Sequence, residues 1–291
     1  MVLCDEVDQL PEMQSKISAV ISKYFPDEGA WRLFAKPSRR RLAVLLYHHI
    51  GVPTPERKNL SLTVTPSQFR RQVRWLRWRG YRAITPAQWL AWCETGKRLP
   101  PKPIMFTFDD AYEDNGTHAF PVLERFGFES ALFVITGGLT SWEGLRLMSM
   151  DQIQQWAERG VEIGAHTRTH ADLTAVPDGA IACEVLGSKE DLAKAGLKPL
   201  SFAYPYGRFD GRIRASLDGV FQLAFTCEDG LNDSGTDPLL LKRTMVNPGD
   251  TLLDIEFRAA FGKNPLDWVR SKVRLRSRLA RALRHFRLLM H

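Results

Sequence analysis

A short apolar segment of the chain stops abruptly at two adjacent carboxylates. Residues 104–108 are mostly apolar, partly aromatic and β-branched, and follow a proline-rich stretch, a pattern that predicts a buried strand. Asp109 and Asp110 come directly after it. Because neighbouring residues of a strand point to opposite faces, the two carboxylates can have different partners. One can bind a metal ion while the other acts as a base.

A second short strand, predicted over residues 161–165, is followed by two histidines four residues apart, His166 and His170. Two imidazoles and a carboxylate from elsewhere in the chain form a ligand set that leaves coordination positions open for water. A His-x-x-x-His pair alone is more often a surface feature than a site. Its combination with the Asp-Asp pair favours a catalytic metal centre.

The ordered motifs of this sequence resemble those of the polysaccharide deacetylase (NodB-homology) family. The four matching segments are residues 107–110 (TFDD), 166–170 (HTRTH), 202–207 (FAYPYG) and 44–49 (VLLYHH). Most family members carry the last motif near the C-terminus, whereas here it comes first. This order resembles the circularly permuted branch, which includes the poly-N-acetylglucosamine deacetylases. The resemblance covers about residues 42–247 and implies a metal-dependent sugar N- or O-deacetylase.

The resemblance also implies a ligand set for the metal. Asp110, His166 and His170 are its expected ligands, with zinc as the expected ion and cobalt or nickel as alternatives. Such an ion lowers the pKa of bound water to about 7. Asp109 is then the general base, an order of the two aspartates that comes from the family alone. A helix N-cap is the structural alternative for Asp109.

The histidine motif supplies the predicted general acid. His48 is expected to protonate the leaving amine, because a histidine pKa of about 6.5 suits proton donation at neutral pH. The adjacent His49 is the alternative. The match to the Tyr-His pair of the permuted branch favours His48, with His49 as a packing residue.

The third motif predicts a tight turn at the end of a strand. Pro205 fixes φ and Gly207 permits the turn, which can direct the Tyr206 N–H at a developing oxyanion. A simple strand-end turn without catalytic function is the alternative. Tyr204, Pro205 and Trp142 are the predicted substrate-binding residues, although packing is an equal interpretation of Trp142.

One position departs from the pattern of many family members. They carry an arginine two residues before the proline of the third motif, where it orients the base, whereas this chain has Ala203. The permuted branch commonly has an apolar residue here too. The partner of Asp109 is therefore left open. Arg243, on a predicted strand over residues 242–246, is a candidate, with a structural charge as its favoured interpretation.

Strands and helices alternate from residue 42 onward. The predicted strands cover residues 42–47, 81–84, 104–108, 130–135, 161–165, 200–204, 222–226 and 242–246. This alternation predicts an α/β fold with a parallel sheet and outer helices. Within the α/β class, the family resemblance implies a distorted (β/α)7-type barrel. In such barrels the chemistry lies at the C-terminal strand ends, where the predicted metal and catalytic residues all fall.

Length and composition are those of a globular protein. The 291 residues are 44% hydrophobic and 25% charged, which excludes a fibrous or disordered chain. We predict an N-terminal extension (1–41), a deacetylase domain (42–250) and a C-terminal tail (251–291). The four cysteines are widely spaced, which is typical of thiols in a reducing compartment.

The C-terminal tail carries the basic character of the chain. Residues 266–291 contain eight Lys and Arg side chains and one acidic side chain, which accounts for the net charge of +7. Their apolar residues fall near one helical stripe, and such a helix can lie on anionic lipid. A helix packed on the barrel or a solvated charged segment is equally compatible. The sequence contains no nucleic-acid-binding motif.

The N-terminal residues lack the basic and apolar regions of a signal peptide. We therefore expect a cytoplasmic location, at the inner membrane face if the tail binds lipid. The predicted function is removal of acetyl groups from N-acetylated sugars of a polysaccharide or glycan precursor. The alternative is a catalytically inactive barrel that binds glycan or membrane, motivated by the missing arginine. A glycosidase using Asp109 would leave the histidine pair unexplained.

Overall fold

The computed structural model describes residues 39–52, 62–264 and 267; the predicted N-terminal extension up to residue 38 and most of the predicted basic tail lie outside these ranges. The strands are β1 (Ala43–Tyr47), β2 (His49–Ile50), β3 (Thr63–Val64), β4 (Arg82–Ala83), β5 (Pro103–Phe108), β6 (Ala131–Val134), β7 (Ser141–Trp142), β8 (Leu145–Arg146), β9 (Glu162–Ala165), β10 (Ser201–Ala203), β11 (Leu223–Phe225) and β12 (Thr244–Met245). The α-helices are α1 (Pro66–Trp78), α2 (Pro86–Thr95), α3 (Phe120–Arg125), α4 (Met150–Glu158), α5 (Asp178–Lys194), α6 (Gly211–Leu217) and α7 (Leu252–Phe261).

One parallel sheet forms the centre of the fold. Seven of its strands run in the order β11-β10-β9-β6-β5-β1-β12, and β4 pairs with the beginning of β5. Beyond β11, a backbone bridge joins Phe225 to Leu241, in the segment that leads to β12. The sheet therefore curls into a barrel. Because its strands are parallel, their C-terminal ends lie at the same rim, with Tyr47 opposite Phe108 where β1 and β5 end.

Three outer helices begin at capping residues with a characteristic sequence pattern. Thr65, Thr85 and Ser149 each form a capping box, in which the side-chain oxygen accepts from the N–H three residues later and a glutamine side chain bonds back. Pro66 and Pro86 follow at the first helical position. These contacts satisfy backbone N–H groups that a helix start leaves unpaired. They set the start of α1, α2 and α4 on the outside of the sheet.

Aromatic packing holds the strand ends that carry the predicted site. The ring of Tyr47 lies 5.2 Å from that of Phe69 on α1 and 5.5 Å from that of Phe108 on β5, measured between centroids. The Tyr47 hydroxyl also hydrogen-bonds to Gln72 Oε1, at 3.0 Å. All four side chains are buried. The ends of β1 and β5 are thus packed against α1 as one rigid unit.

Helix α7 belongs to the folded unit, although the predicted tail begins just before it. Arg258 on α7 donates to both oxygens of Asp250, at 2.6 and 3.2 Å, and to Thr244 Oγ1 at 3.0 Å. Glu256 on the same helix accepts from Arg79 after α1. Because these groups are largely buried, the boundary predicted before α7 falls inside the folded unit. Within the described residues, no helix is both long and apolar enough to cross a bilayer.

Candidate metal and catalytic site

The predicted chemical groups come together where strands β1, β5, β9 and β10 end. Asp109 follows β5, and its N–H donates to the Tyr47 carbonyl at the end of β1, at 3.1 Å. The next two residues, Asp110 and Ala111, have left-handed φ angles of 71° and 64°. Non-glycine residues in this region are uncommon and concentrate at functional sites. The turn lets both carboxylates face the rim of the barrel from adjacent positions.

Asp110, His166 and His170 form a buried group, here called the metal cluster, that fits a divalent cation. One potential ligand atom from each side chain lies within 4.8 Å of the other two. Asp110 Oδ1 is 3.5 Å from His166 Nε2 and 3.4 Å from His170 Nε2. This oxygen is buried without a hydrogen-bond partner among the residues that the structure describes. A buried carboxylate oxygen that faces two imidazole nitrogens suits a cation and leaves coordination positions for water.

The tautomer of His166 is set by its second ring nitrogen. Nδ1 lies 2.7 Å from the Ala203 carbonyl, which can only accept, so Nδ1 donates and Nε2 keeps its lone pair. Metal-binding histidines typically donate a hydrogen bond from the ring nitrogen that does not bind the metal. Burial, and then the charge of Asp109, raise the pKa of Asp110. A cation at the metal cluster would therefore stabilise the ionised carboxylate.

Arg243 is the partner of Asp109 that the sequence left open. Its two terminal nitrogens donate to the two carboxylate oxygens, at 2.6 and 2.8 Å, and its Nε donates to the Thr226 carbonyl at 2.8 Å. Arg243 is fully buried. Burial alone would raise the pKa of Asp109, but the Arg243 guanidinium outweighs it, helped by His166, and lowers that pKa to about 2. Asp109 is therefore an oriented and ionised carboxylate.

The two adjacent histidines have different environments. His48 is half-buried at the rim. Burial lowers its pKa to about 4, and the charge of Asp109 acts in the opposite direction. His49 is buried, with Nδ1 2.9 Å from Asp114 Oδ2 and Nε2 in a short contact with the Thr63 hydroxyl. Both ring nitrogens of His49 are thus engaged inside the protein, which leaves His48 as the histidine at the rim.

The third motif forms a 3₁₀ turn, Pro205–Gly207, directly after β10. Tyr206 at its centre has a left-handed φ of 58°, and its side chain is 54% exposed. The Tyr206 ring lies edge-on to His170, with centroids 4.7 Å apart. A Cβ at Gly207 would lie 2.5 Å from Cys227 Cβ, so the turn requires glycine there. The turn places the predicted oxyanion residue beside the metal cluster.

Trp142 reaches the metal cluster from a separate hairpin, β7 to β8. Its ring centroid is 4.9 Å from that of His170. The hairpin packs on Tyr112, which follows the Asp-Asp pair and forms a backbone bridge with Leu147. Trp142 and Tyr206 therefore both contact His170.

Two of the predicted substrate-binding residues are placed in the interior. Tyr204 has no exposed side-chain surface, and its hydroxyl donates to the Leu239 carbonyl at 2.9 Å. The ring of Tyr204 therefore belongs to the core, and substrate contact by Tyr204 stays a prediction. Pro205 is also buried, so it shapes the turn and does not present a surface to a sugar.

Comparisons with known proteins agree with these motifs. The polysaccharide deacetylase family model matches residues 96–219. The poly-beta-1,6-N-acetyl-D-glucosamine N-deacetylase of Staphylococcus epidermidis is 26% identical over 239 residues, which cover 73% of this chain and 81% of the relative. The solved structure of the Streptococcus pyogenes deacetylase PplD has a TM-score of 0.67 at 26% identity and covers 74% of this chain and 96% of that one. IcaB from Ammonifex degensii has a TM-score of 0.66 at 28% identity, over 76% of this chain and 97% of that one.

These findings confirm the predicted resemblance and the predicted fold class. Residues 96–219 match the polysaccharide deacetylase model, the matching relatives and solved structures named here are deacetylases, which are hydrolases, and the parallel sheet of this chain matches the barrel of those structures. The Tyr47-His48 pair, at the end of β1, precedes the matched residues 96–219, in agreement with the order of motifs seen in the permuted branch.

Proposed function

We propose that this protein is a metal-dependent deacetylase that removes acetyl groups from N-acetylated sugars of a polysaccharide or glycan precursor. Amide hydrolysis needs an activated water, a stabilised oxyanion and a proton for the leaving amine. The observation that carries the proposal is the adjacency of the metal cluster, the Asp109–Arg243 pair and the half-buried His48 at one rim of the barrel.

Asp109 is the proposed general base. A zinc, cobalt or nickel ion held by the metal cluster would lower the pKa of bound water to about 7. The two hydrogen bonds from Arg243 hold the Asp109 carboxylate in one orientation and keep it ionised. A base held in this way accepts the proton of the attacking water without first reorganising.

His48 is the proposed general acid. Because burial lowers its pKa to about 4, the imidazole of the free site is neutral near pH 7. Negative charge that develops on the attacked acetyl group raises the pKa of a nearby imidazole. His48 therefore takes up a proton from solvent as the tetrahedral intermediate forms, and gives it to the departing nitrogen, while Asp109 later returns the proton of the attacking water to solvent.

Tyr206 and Trp142 are proposed to receive the substrate. The backbone N–H of Tyr206 is the proposed oxyanion donor, a contact typically worth about 3 kcal/mol in such sites. The exposed Tyr206 ring and the half-buried Trp142 ring flank His170. Aromatic faces provide an apolar surface that a sugar ring can cover. The sugar would thus lie across these two rings, with its acetyl group toward the metal cluster.

The relatives guide the choice of the first substrate. The name of the Staphylococcus epidermidis relative specifies poly-beta-1,6-N-acetyl-D-glucosamine, which supports oligomers of N-acetylglucosamine as the first substrates to assay. An acetylated glycan precursor is the second substrate class. Contact of the basic tail with anionic lipid stays a prediction, because residues 268–291 lie outside the described ranges.

The decisive experiment measures acetate release by the purified protein after chelation and re-supply of zinc, cobalt or nickel. We expect release only with metal, and a loss of about 100-fold or more in Asp109→Asn, which keeps the shape of the side chain but removes the base. Asp151→Asn, at an exposed position on α4, is the matched control and should retain full activity. His166→Ala should lose both metal and activity.

The alternative is a catalytically inactive barrel that binds glycan or membrane. Its motivation was the missing motif arginine at Ala203, but Arg243, just before β12, supplies a guanidinium to Asp109. Stoichiometric metal binding that is lost in His166→Ala, without acetate release from a wide panel of acetylated glycans, would favour this alternative over the deacetylase.

A further inference from the structure

Two adjacent side chains, Asp114 and Asn115, hold the segment that carries His48. Asn115 Nδ2 donates to the His48 carbonyl at 2.8 Å. Asp114 Oδ1 accepts from the Ile50 N–H at 3.1 Å, and Asp114 Oδ2 lies 2.9 Å from His49 Nδ1. Three successive residues are thereby fixed by two successive residues from another part of the chain. We call Asp114 and Asn115 the His48 clamp.

The pairing of β2 with β3 fixes His49 and Ile50, whereas His48 itself lies outside the strand ladders. Strand β1 ends at Tyr47 and β2 begins at His49, so His48 lies at the break between them. Within the described part of the chain, the side-chain hydrogen bond recorded at His48 is the one from Asn115 to its carbonyl. The direction of the imidazole therefore depends on how this short stretch of backbone is held.

The clamp is itself fixed relative to the Asp-Asp pair. Asn115 is fully buried, its N–H donates to the Tyr112 carbonyl at 3.0 Å, and its Nδ2 is also 3.2 Å from Asp114 Oδ1. Asn115 begins a π-helical turn, Asn115–Ala119, and such single turns occur frequently at functional sites. The turn follows Asp109 and Asp110 after four residues. The predicted base and the holder of the predicted acid are thus built into one continuous loop.

We infer that Asp114 and Asn115 are positioning residues for proton transfer by His48. The inference rests on the acid role of His48 in the proposed function. Removal of the Asn115 amide takes away the hydrogen bond to the His48 carbonyl and so loosens the backbone at His48. A misplacement of about 1 Å in a catalytic group can lower a rate by about 100-fold. The loss should appear in the step that needs a proton donor.

Two acetyl donors distinguish positioning from a purely structural role. An N-acetylglucosamine oligomer has an amine leaving group, which must be protonated, whereas 4-nitrophenyl acetate releases a stable phenolate without an acid. As reference, His48→Ala should lower kcat on the oligomer by about 100-fold or more and on the ester by less than about threefold. Asn115→Ala should lower kcat on the oligomer by about 10- to 100-fold, with little change in KM or in ester turnover.

Two further variants serve as controls. Asp114→Asn keeps an oxygen acceptor for the Ile50 N–H but loses the carboxylate, and should show a smaller loss of the same selective kind. It also carries the test if Asn115→Ala does not fold. Asn264→Ala removes another buried asparagine, whose Nδ2 donates to Asp254 Oδ1 at 2.8 Å beyond α7. It should lower thermal stability without changing the ratio of oligomer to ester activity.

The outcomes separate the inference from the proposed function. Equal losses on both substrates, or no loss, in Asn115→Ala and Asp114→Asn would overturn the positioning role while leaving a deacetylase with His48 as its acid. Equal losses on both substrates in His48→Ala would overturn the acid role itself, and the inference with it. A selective loss of oligomer activity in all three variants, absent from Asn264→Ala, is the expected result.

Discussion

The buried pair between Arg243 and Asp109 gives the sharpest test of this site. In the variant Arg243→Ala, the Asp109 carboxylate loses both of the hydrogen bonds that orient it, at 2.6 and 2.8 Å. Asp109 is only 2% exposed, so water cannot fully replace the guanidinium. The variant therefore leaves a buried carboxylate without its counter-ion, and a base without its orientation.

The size of the effect on stability follows from this burial. Removal of one partner of a buried ion pair typically costs about 3–5 kcal/mol. At about 2–4 °C per kcal/mol for a domain of this size, Arg243→Ala should melt roughly 6–20 °C lower than the parent. The parent pair stabilises the fold above the ordinary carboxyl pKa of 3.8 and loses this contribution as the pH falls toward 2. The destabilisation should therefore be smaller in acid.

The effect on catalysis has a defined sign. Burial raises the pKa of Asp109 and Arg243 lowers it, so removal of Arg243 raises that pKa. The base is then protonated over a wider acidic range, and the acid side of the kcat/KM profile should move to higher pH. We expect kcat for acetate release to fall by about 100-fold near neutral pH, because the carboxylate is also misoriented.

The assay compares melting temperature, metal content and acetate release across three variants. Arg243→Lys retains a charge but cannot form the bidentate contact, and should recover stability better than activity. Arg258→Ala breaks another buried pair, with Asp250, and should lower stability without loss of kcat. If Arg243→Ala keeps its metal and retains kcat within about twofold of the parent, orientation by Arg243 is irrelevant and its role is a structural charge.

Four further outcomes are expected. Zinc at about 100 times its dissociation constant should raise the free energy of unfolding by about 2.7 kcal/mol, measured by thermal denaturation, and His166→Ala should abolish this gain. Tyr204→Phe should lower stability by about 1–2 kcal/mol through loss of the bond to the Leu239 carbonyl, with KM unchanged; a raised KM would place Tyr204 in the substrate site. Trp142→Ala should raise KM for oligomers more than for 4-nitrophenyl acetate, and equal changes would exclude sugar contact. Tyr206→Gly keeps the backbone N–H and tolerates the φ of 58°, so ester turnover should persist while oligomer KM rises.

The metal cluster illustrates what could be predicted from local sequence. Asp110, His166 and His170 each follow a strand recognisable by its apolar pattern, and parallel strands place their ends at one rim. The predicted parallel strands therefore place these residues at one rim, while their assignment as a ligand set came from the family resemblance. Arg243 is different, since it precedes strand β12 and reaches a carboxylate 134 residues away in the chain. Local pattern contains no information on such a contact, which led to its interpretation as a structural charge.

The structure was also needed to distinguish the roles of neighbouring residues that have the same side chain. His48 and His49 are adjacent, and only packing shows that both ring nitrogens of His49 are engaged internally. Tyr204 and Tyr206 lie in one motif, yet one is buried in the core and the other is exposed at the rim. In the turn that follows Tyr204, Tyr206 has a left-handed φ and Gly207 lies close to Cys227. Which tyrosine faces the site is decided by that turn.

The sequence by itself determined the order of strands and helices, the capping of α1, α2 and α4, and the residues that meet at the C-terminal strand ends. These features are local: they depend on apolar periodicity, on cap chemistry and on the single polar residue that follows a strand. Tertiary structure decided the partner of Asp109, the clamp on His48 and the inclusion of helix α7. Those contacts join segments far apart in the chain, and they form only once the barrel has brought the segments together.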